Sequence, residues 1–428
     1  MGASQEKVIN RWLVVVGAIL IQLCLGAIYA WSVFTPYLSG TLSDPVNKFD
    51  FTKTQTQIIF SVGLAAFAFV MVFAGKWQAK SGPRIVAISG GILLGLGYIL
   101  AGLFGKSFIS QVIFIGLIGG AGIGLGYVCP IATGMKWFPD KKGLITGLAV
   151  AGFGFGALIW MKIADNWGHL LETIGVLRVF LIYGIIFGVT VLIGSIWMVN
   201  PPQGWKPAGW NPPTPKKGKS TSGDSSALRP SQMLKSPQFY GLWIMFVFSG
   251  MAGLMTIGII KLFGIEALQN RGGLPAEQAS AIAGTAMAIF YSIANGLGRI
   301  IWGTLSDKIG RKLSLFLMCA LQGVMMLIFY MMGANQYLLY LGATIIGFNF
   351  GGNFALFPTA TADFFGTANV GMNYPWVFTA YGIGGIIGPI MAGSIRDVVG
   401  GWLPAFIISG IACLIAAVIG LTLRPSKR

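Results

Sequence analysis

Apolar stretches long enough to cross a bilayer recur twelve times along this chain, at about 12–38, 55–75, 85–105, 109–134, 143–162, 173–199, 237–265, 279–303, 313–333, 337–361, 371–394 and 402–423. A hydrocarbon core of ~30 Å is crossed by about 20 apolar residues in a helix. Inside it the backbone can satisfy its polar groups only internally, so such stretches fold as helices. The chain is 55% hydrophobic and 10% charged, against about 25% charged in soluble domains. The expected fold class is therefore an all-α membrane protein with twelve transmembrane helices. The first stretch follows a polar Met1–Arg11 segment carrying Lys7 and Arg11. It is too long for a signal-peptide core and lacks a convincing cleavage site, so it reads as the first membrane helix. Cys24, Cys129, Cys319 and Cys413 all lie within apolar stretches and are expected to be small core residues without disulfides.

A net charge of +17 would suit a nucleic-acid binder, but its distribution excludes that class. With the N-terminus inside, 20 of the 29 basic residues fall on the cytoplasmic side, among them Lys76, Lys80, Arg84, Lys136, Lys216, Lys217, Lys308, Arg311 and Lys312. The positive-inside rule then places both termini in the cytoplasm of a multi-pass inner-membrane protein.

Residues 200–236 are rich in Pro, Gly, Ser and Lys and have no apolar face to bury. They read as a cytoplasmic linker, either a solvated tether or a segment touching anionic lipid. The linker joins a six-helix unit at 1–199 to another at 237–428, and the two units resemble each other. Gly75-Lys76-Trp77-Gln78-Ala79-Lys80-Ser81-Gly82-Pro83-Arg84 follows the second stretch, and Gly303-Thr304-Leu305-Ser306-Asp307-Lys308-Ile309-Gly310-Arg311-Lys312 follows the eighth. Tyr127 stands ten residues before Trp137-Phe138-Pro139, as Phe354 does before Phe364-Phe365-Gly366. Paired repeats place a substrate site between them at mid-membrane.

The G-x-x-x-D-K-x-G-R-K turn resembles the signature of the major facilitator superfamily. Its first copy has Ala79 in place of the aspartate, which puts the first-half gating contact in doubt, whereas Asp307 and Arg311 complete the second. Within the superfamily the chain resembles the oxalate/formate antiporter family and its monocarboxylate-transporter relatives. The resembling residues are Tyr29-Ala30-Trp31-Ser32, Lys136-Trp137-Phe138-Pro139-Asp140-Lys141-Lys142-Gly143, Asn295-Gly296 with Arg299, Ala355-Leu356-Phe357-Pro358, and Asn373-Tyr374. The resemblance implies the major facilitator fold, alternating access, and an arginine at position 299 that binds the substrate carboxylate. It also implies a lysine in helix 11 that meets a second carboxylate. Aligned through Asn373-Tyr374, that position is Tyr381.

The residues support that reading independently. Arg299 lies about 12 Å above the charged turn at 307–312, close to mid-membrane. There a charge without compensation costs at least ~2.5–3.5 kcal/mol, and none of the twelve stretches contains an acid to pair with it. A guanidinium offers a planar fork that fits a carboxylate. Asn295, four residues earlier on the same helix face, could bond a carboxylate or 2-hydroxyl, or a neighbouring helix. With no Lys or Arg at 371–394, the site neutralises one carboxylate, and a second would remain buried unpaired. Tyr29, Tyr127 and Tyr381 offer hydroxyls; Leu25, Phe354, Phe378 and Phe350 offer an apolar wall.

Other features carry less. Lys261, about 37 Å along the seventh helix, is expected to snorkel to the external interface or to guide anions in. His169 falls in an external loop. The glycines at 120–126 and 382–388 resemble nucleotide fingerprints but sit in apolar helices, where they allow close packing. Gly-Lys-Ser at 105–107 and at 218–220 lacks the first glycine of a phosphate loop, with Leu100 and Pro213 in its place. No cofactor, metal cluster or enzyme centre is expected. The expectation is a monomeric carrier of lactate- or pyruvate-like monocarboxylates by proton symport, in a site without a membrane carboxylate. The alternative is an oxalate/formate-type exchanger in which Tyr381 does not alter the substrate.

Overall fold

A computed structural model describes residues 9–138, 142–165, 167–202, 205–207, 228–366 and 369–423. Most of the expected linker, and Pro139-Asp140-Lys141 of the loop motif, lie outside these residues. The described residues are helical, without strands. Counting only the spanning helices, α1 is Arg11–Val33, beginning as an α-helix and tightening to a 3₁₀ helix over Gly26–Val33. Next come α2 (Lys53–Ser81), α3 (Pro83–Phe104) and α4, which runs from Phe108 through a π-helical Val112–Gly119 into Gly120–Trp137. Helices α5 (Lys142–Ala164) and α6 (Val176–Ser195) complete the first six. The last six are α7 (Pro237–Asn270), α8 (Ala276–Ile309), α9 (Arg311–Met332), α10 (Gln336–Phe365), α11 (Val370–Val399) and α12 (Leu403–Thr422). Eleven of these are long and apolar enough to cross a membrane, and α5 adds a shorter apolar run, Ala151–Ala164. The twelve-helix expectation holds.

Local chemistry explains where the helices stop. Thr52 and Gln55 form a reciprocal capping box at the start of α2, satisfying two of the N–H groups a helix start leaves unpaired. The two turns that looked alike in sequence are alike in structure. Gly82 (φ 83°) separates α2 from α3 and Gly310 (φ 87°) separates α8 from α9, a conformation that a side chain disfavours.

The glycine-rich stretches are packing surfaces, as expected. On α11, Gly384 lies against the Val247 carbonyl and Met251 nitrogen of α7, at 2.8 and 2.9 Å from where its Cβ would stand. Gly382 and Gly385, on the same helix, abut Ala68 and Leu64 of α2. The four cysteines are buried and free.

One end of the bundle carries residues 196–200, 228–236 and the turns at 82 and 310; the far end carries 34–52, 165–175, 270–276 and 399–403. Hydrogen bonds described between the first six helices and the last six lie at the centre or towards the far end. They include Tyr29–Tyr381 at 2.9 Å, Gln57 Nε2 to the Gly258 carbonyl at 3.2 Å, and Lys162 Nζ to Thr285 Oγ1 at 3.3 Å. At the far end the backbone N–H groups of Lys53 and Thr54 and the Thr54 hydroxyl all donate to the Asp397 carboxylate. A residue of α11 thus helps to cap the first turn of α2.

Candidate substrate site

The α8 helix widens into a π-helical turn at Ala286–Tyr291 and resumes regular α geometry at Ser292. The Ser292 hydroxyl donates to the Met287 carbonyl at 3.0 Å, closing the wide turn. Below it, Asn295 and Arg299 are one turn apart on the buried face. Arg299 Nε donates to Asn295 Oδ1 at 3.1 Å. The guanidinium carbon sits 4.1 Å from the centre of the Phe354 ring, a cation–π contact that offsets roughly 0.5–2 kcal/mol of the burial cost. Arg299 is 7% exposed. Asn295 therefore orients the guanidinium by its oxygen, while its Nδ2 is buried without a partner among the described residues.

Aromatic rings close the site. Tyr127 lies edge-on to Phe67 at 5.0 Å and to Phe153 at 5.6 Å. Tyr381 stacks on Phe378 at 4.8 Å and meets Phe354 at 5.8 Å. Tyr29 bonds Tyr381 across the two halves and packs edge-on to Phe153 at 4.9 Å. Phe350 lies between Tyr29 and Phe354. Leu25 is fully buried against Gly126, one residue from Tyr127, at the edge of the cluster. The structure thus gathers Arg299, Asn295, Tyr127, Tyr29, Tyr381, Phe354 and Phe378 into one seam, with α1 and α4 on one side and α8, α10 and α11 on the other. Sequence reasoning missed Phe67 on α2 and Phe153 on α5. Neither stands in a motif, and lone phenylalanines in apolar helices are common in a chain with 30 of them.

A model of the Major Facilitator Superfamily matches residues 20–290 and 273–428. The chain belongs to the major facilitator superfamily. It is 32% identical to the uncharacterized MFS-type transporter YhjX of Escherichia coli (strain K12), across 88% of this chain and 86% of that one. It is 27% identical to the oxalate:formate antiporter of Oxalobacter formigenes, across 99% and 94%, and 26% identical to apicoplast pyruvate carrier 1 of Toxoplasma gondii, across 86% and 81%. The protein is a membrane transporter of this superfamily.

The superfamily's turn motif is built as its sequence suggested in the second half. Arg311 pairs with Asp307 one turn away at 2.6 Å and with Asp363, near the end of α10, at 3.0 Å. Asp363 is the partner that sequence reasoning overlooked, although it directly precedes the Phe364-Phe365-Gly366 repeat signal. In the first half, where Ala79 replaces the aspartate, Arg84 donates to the Ile196 carbonyl instead.

One expectation is corrected. Lys261 is 1% exposed and bonds Asp165 at 2.6 Å, so it does not snorkel to the interface. Its partner stands just past α5, in what reads as a loop from sequence, yet Asp165 is itself only 5% exposed. A carboxylate buried within the protein therefore stands at the far end, outside the spans, where it serves Lys261. His169 is exposed as expected and meets Glu172 at 3.0 Å.

Proposed function

We propose that this protein is a secondary-active carrier of small monocarboxylates such as lactate and pyruvate, working by proton symport and alternating access, with the linker end in the cytoplasm. The observation that carries this reading is the setting of Arg299. Its guanidinium is buried at the seam between the halves, oriented by neutral groups, Asn295 and Phe354. One carboxylate bound there forms a charge-assisted pair with a planar fork, and the surrounding hydroxyls suit a 2-hydroxy or 2-keto group. The names of two relatives, an oxalate:formate antiporter and a pyruvate carrier, support an organic anion as the cargo.

Tyr381 narrows the class. It contributes a neutral hydroxyl bonded to Tyr29, so a second carboxylate of a dianion would meet a phenol in a dry site at a cost of several kcal/mol. One cation and one monoanion make a neutral loaded site, and a proton accompanying the anion keeps the cycle electroneutral. In this reading the two units at 1–199 and 237–428 rock about the site, the linker at 200–236 tethers them, and the carrier works as a monomer.

Competition against labelled lactate uptake tests the substrate. Pyruvate and acetate are expected to compete, and oxalate is not. Oxalate competing as well as pyruvate would favour the exchanger reading that the 27% identity to the antiporter supports.

A further inference from the structure

The central site leaves one buried charge cluster unused. At the far end of the same seam, Lys261 of α7 bonds Asp165 at 2.6 Å, and Lys162, one turn before Asp165, donates to Thr285 of α8 at 3.3 Å. All three charged residues are at most 5% exposed. Ser32, Gly284 and Ala288 complete a crevice too tight for a water molecule. Gly284 makes the closure possible, because a Cβ there would stand 2.9 Å from Asp165 Oδ2. Among the described residues the cluster has two cations and one carboxylate. It is built from α1, α5, α7 and α8, and α8 carries Ser292, Asn295 and Arg299 further along its length.

We propose that Lys261 and Lys162 form a second carboxylate-binding site on the far-end approach to Arg299, that Asp165 occupies it in this conformation, and that the incoming substrate's carboxylate takes the place of Asp165 there. The exchange balances in charge, one carboxylate leaving the lysine pair as another arrives. A purely structural ion pair needs one cation and one anion; the surplus lysine and the inter-half hydroxyl of Thr285 are what a short carboxylate would use. The site fills a physical need. An anion approaching a dry seam meets a positive pair before the central arginine, and in its absence the protein's own carboxylate keeps two buried ammonium groups from repelling each other. This inference rests on the monocarboxylate reading above.

The test compares lactate uptake by intact cells, which load from the far end in the proposed topology, with uptake by inverted vesicles, which load from the linker end. Asp165→Asn removes the internal competitor and is expected to lower the half-saturating lactate concentration in cells. Asp165→Asn/Lys261→Gln removes the ligand cation and is expected to raise it about tenfold, the worth of one hydrogen bond to a charged group, with inverted vesicles unchanged for both. The exchanged variant Asp165→Lys/Lys261→Asp keeps the pair and guards against loss of folding; it is expected to stay near wild type. Shifts in the same direction for the first two variants, or equal shifts in both preparations, would overturn the proposal, leaving the pair a structural clamp. Absence of monocarboxylate uptake by the wild type would instead defeat the functional reading, and this inference with it.

Discussion

Arg299 is a charge buried at the centre of the bundle, and its neighbours show how that burial is met. Asn295 fixes one edge of the guanidinium and Phe354 covers a face. Lysine at 299 would keep the charge but lose the fork and the stacking, so Arg299→Lys is expected to abolish transport while the protein remains folded, as judged by purified yield and helical content. At Tyr381 the expected effect is a gain. Tyr381→Lys supplies a second cation opposite Arg299, so oxalate is expected to become a competitor of lactate uptake, while lactate itself binds less well. Unchanged oxalate insensitivity would show that residue 381 does not set the number of carboxylates. Arg299 and Asn295 were legible in sequence because their relation is internal to one helix, four residues apart. Asp165 and Lys261 were not, because they are 96 residues apart and on different helices. Helical rise places Lys261 at a depth but says nothing of what stands opposite.

At the scale of helices, α11 uses neighbouring glycines for different purposes. Gly384 touches the backbone of α7 within the second half, whereas Gly385 touches Leu64 of α2 in the first. Adding a side chain at Gly384 forces apart two helices of one half, and Gly384→Val is expected to destabilise the protein by about 1–3 kcal/mol, seen as a lower unfolding temperature in detergent. Gly385→Val obstructs the contact between halves, so it is expected to slow transport with little change in that temperature. Equal loss of thermal stability in both would contradict this division. Glycine-rich stretches on α4 and α11 were legible as packing surfaces because their helices are apolar throughout. Which neighbour each glycine meets was not legible, since helix order in the chain does not give helix order in space. The π-helical turn of α8 also left no mark in the hydrophobic pattern, although it sets the register in which Asn295 and Arg299 face the seam.

For the whole molecule, the cross-half contacts describe a conformation closed at its far end. Asp397 caps the start of α2, and Tyr29 bonds Tyr381 nearer the centre. In the proposed alternating-access cycle these separate together. Asp397→Ala removes three acceptor contacts from Lys53 and Thr54 without touching the substrate cluster. It is expected to shift the resting population towards a far-end-open form, read as faster labelling of a cysteine at Ser32 by an impermeant maleimide. No change in labelling would mean the cap plays no part in closure. The twelve-helix plan and the repeat were plain in the sequence because hydrocarbon imposes length and composition on every span. The state in which the halves rest was not, because it depends on a few contacts between distant residues.

The measurement that bears most directly on the central claim is uptake of labelled lactate into proteoliposomes under an imposed pH gradient, without internal anion, for wild type and Arg299→Lys side by side. The account predicts accumulation by the wild type and background uptake by the variant. Wild-type-like uptake by Arg299→Lys, or wild-type uptake that appears only when anion is loaded inside, would contradict it.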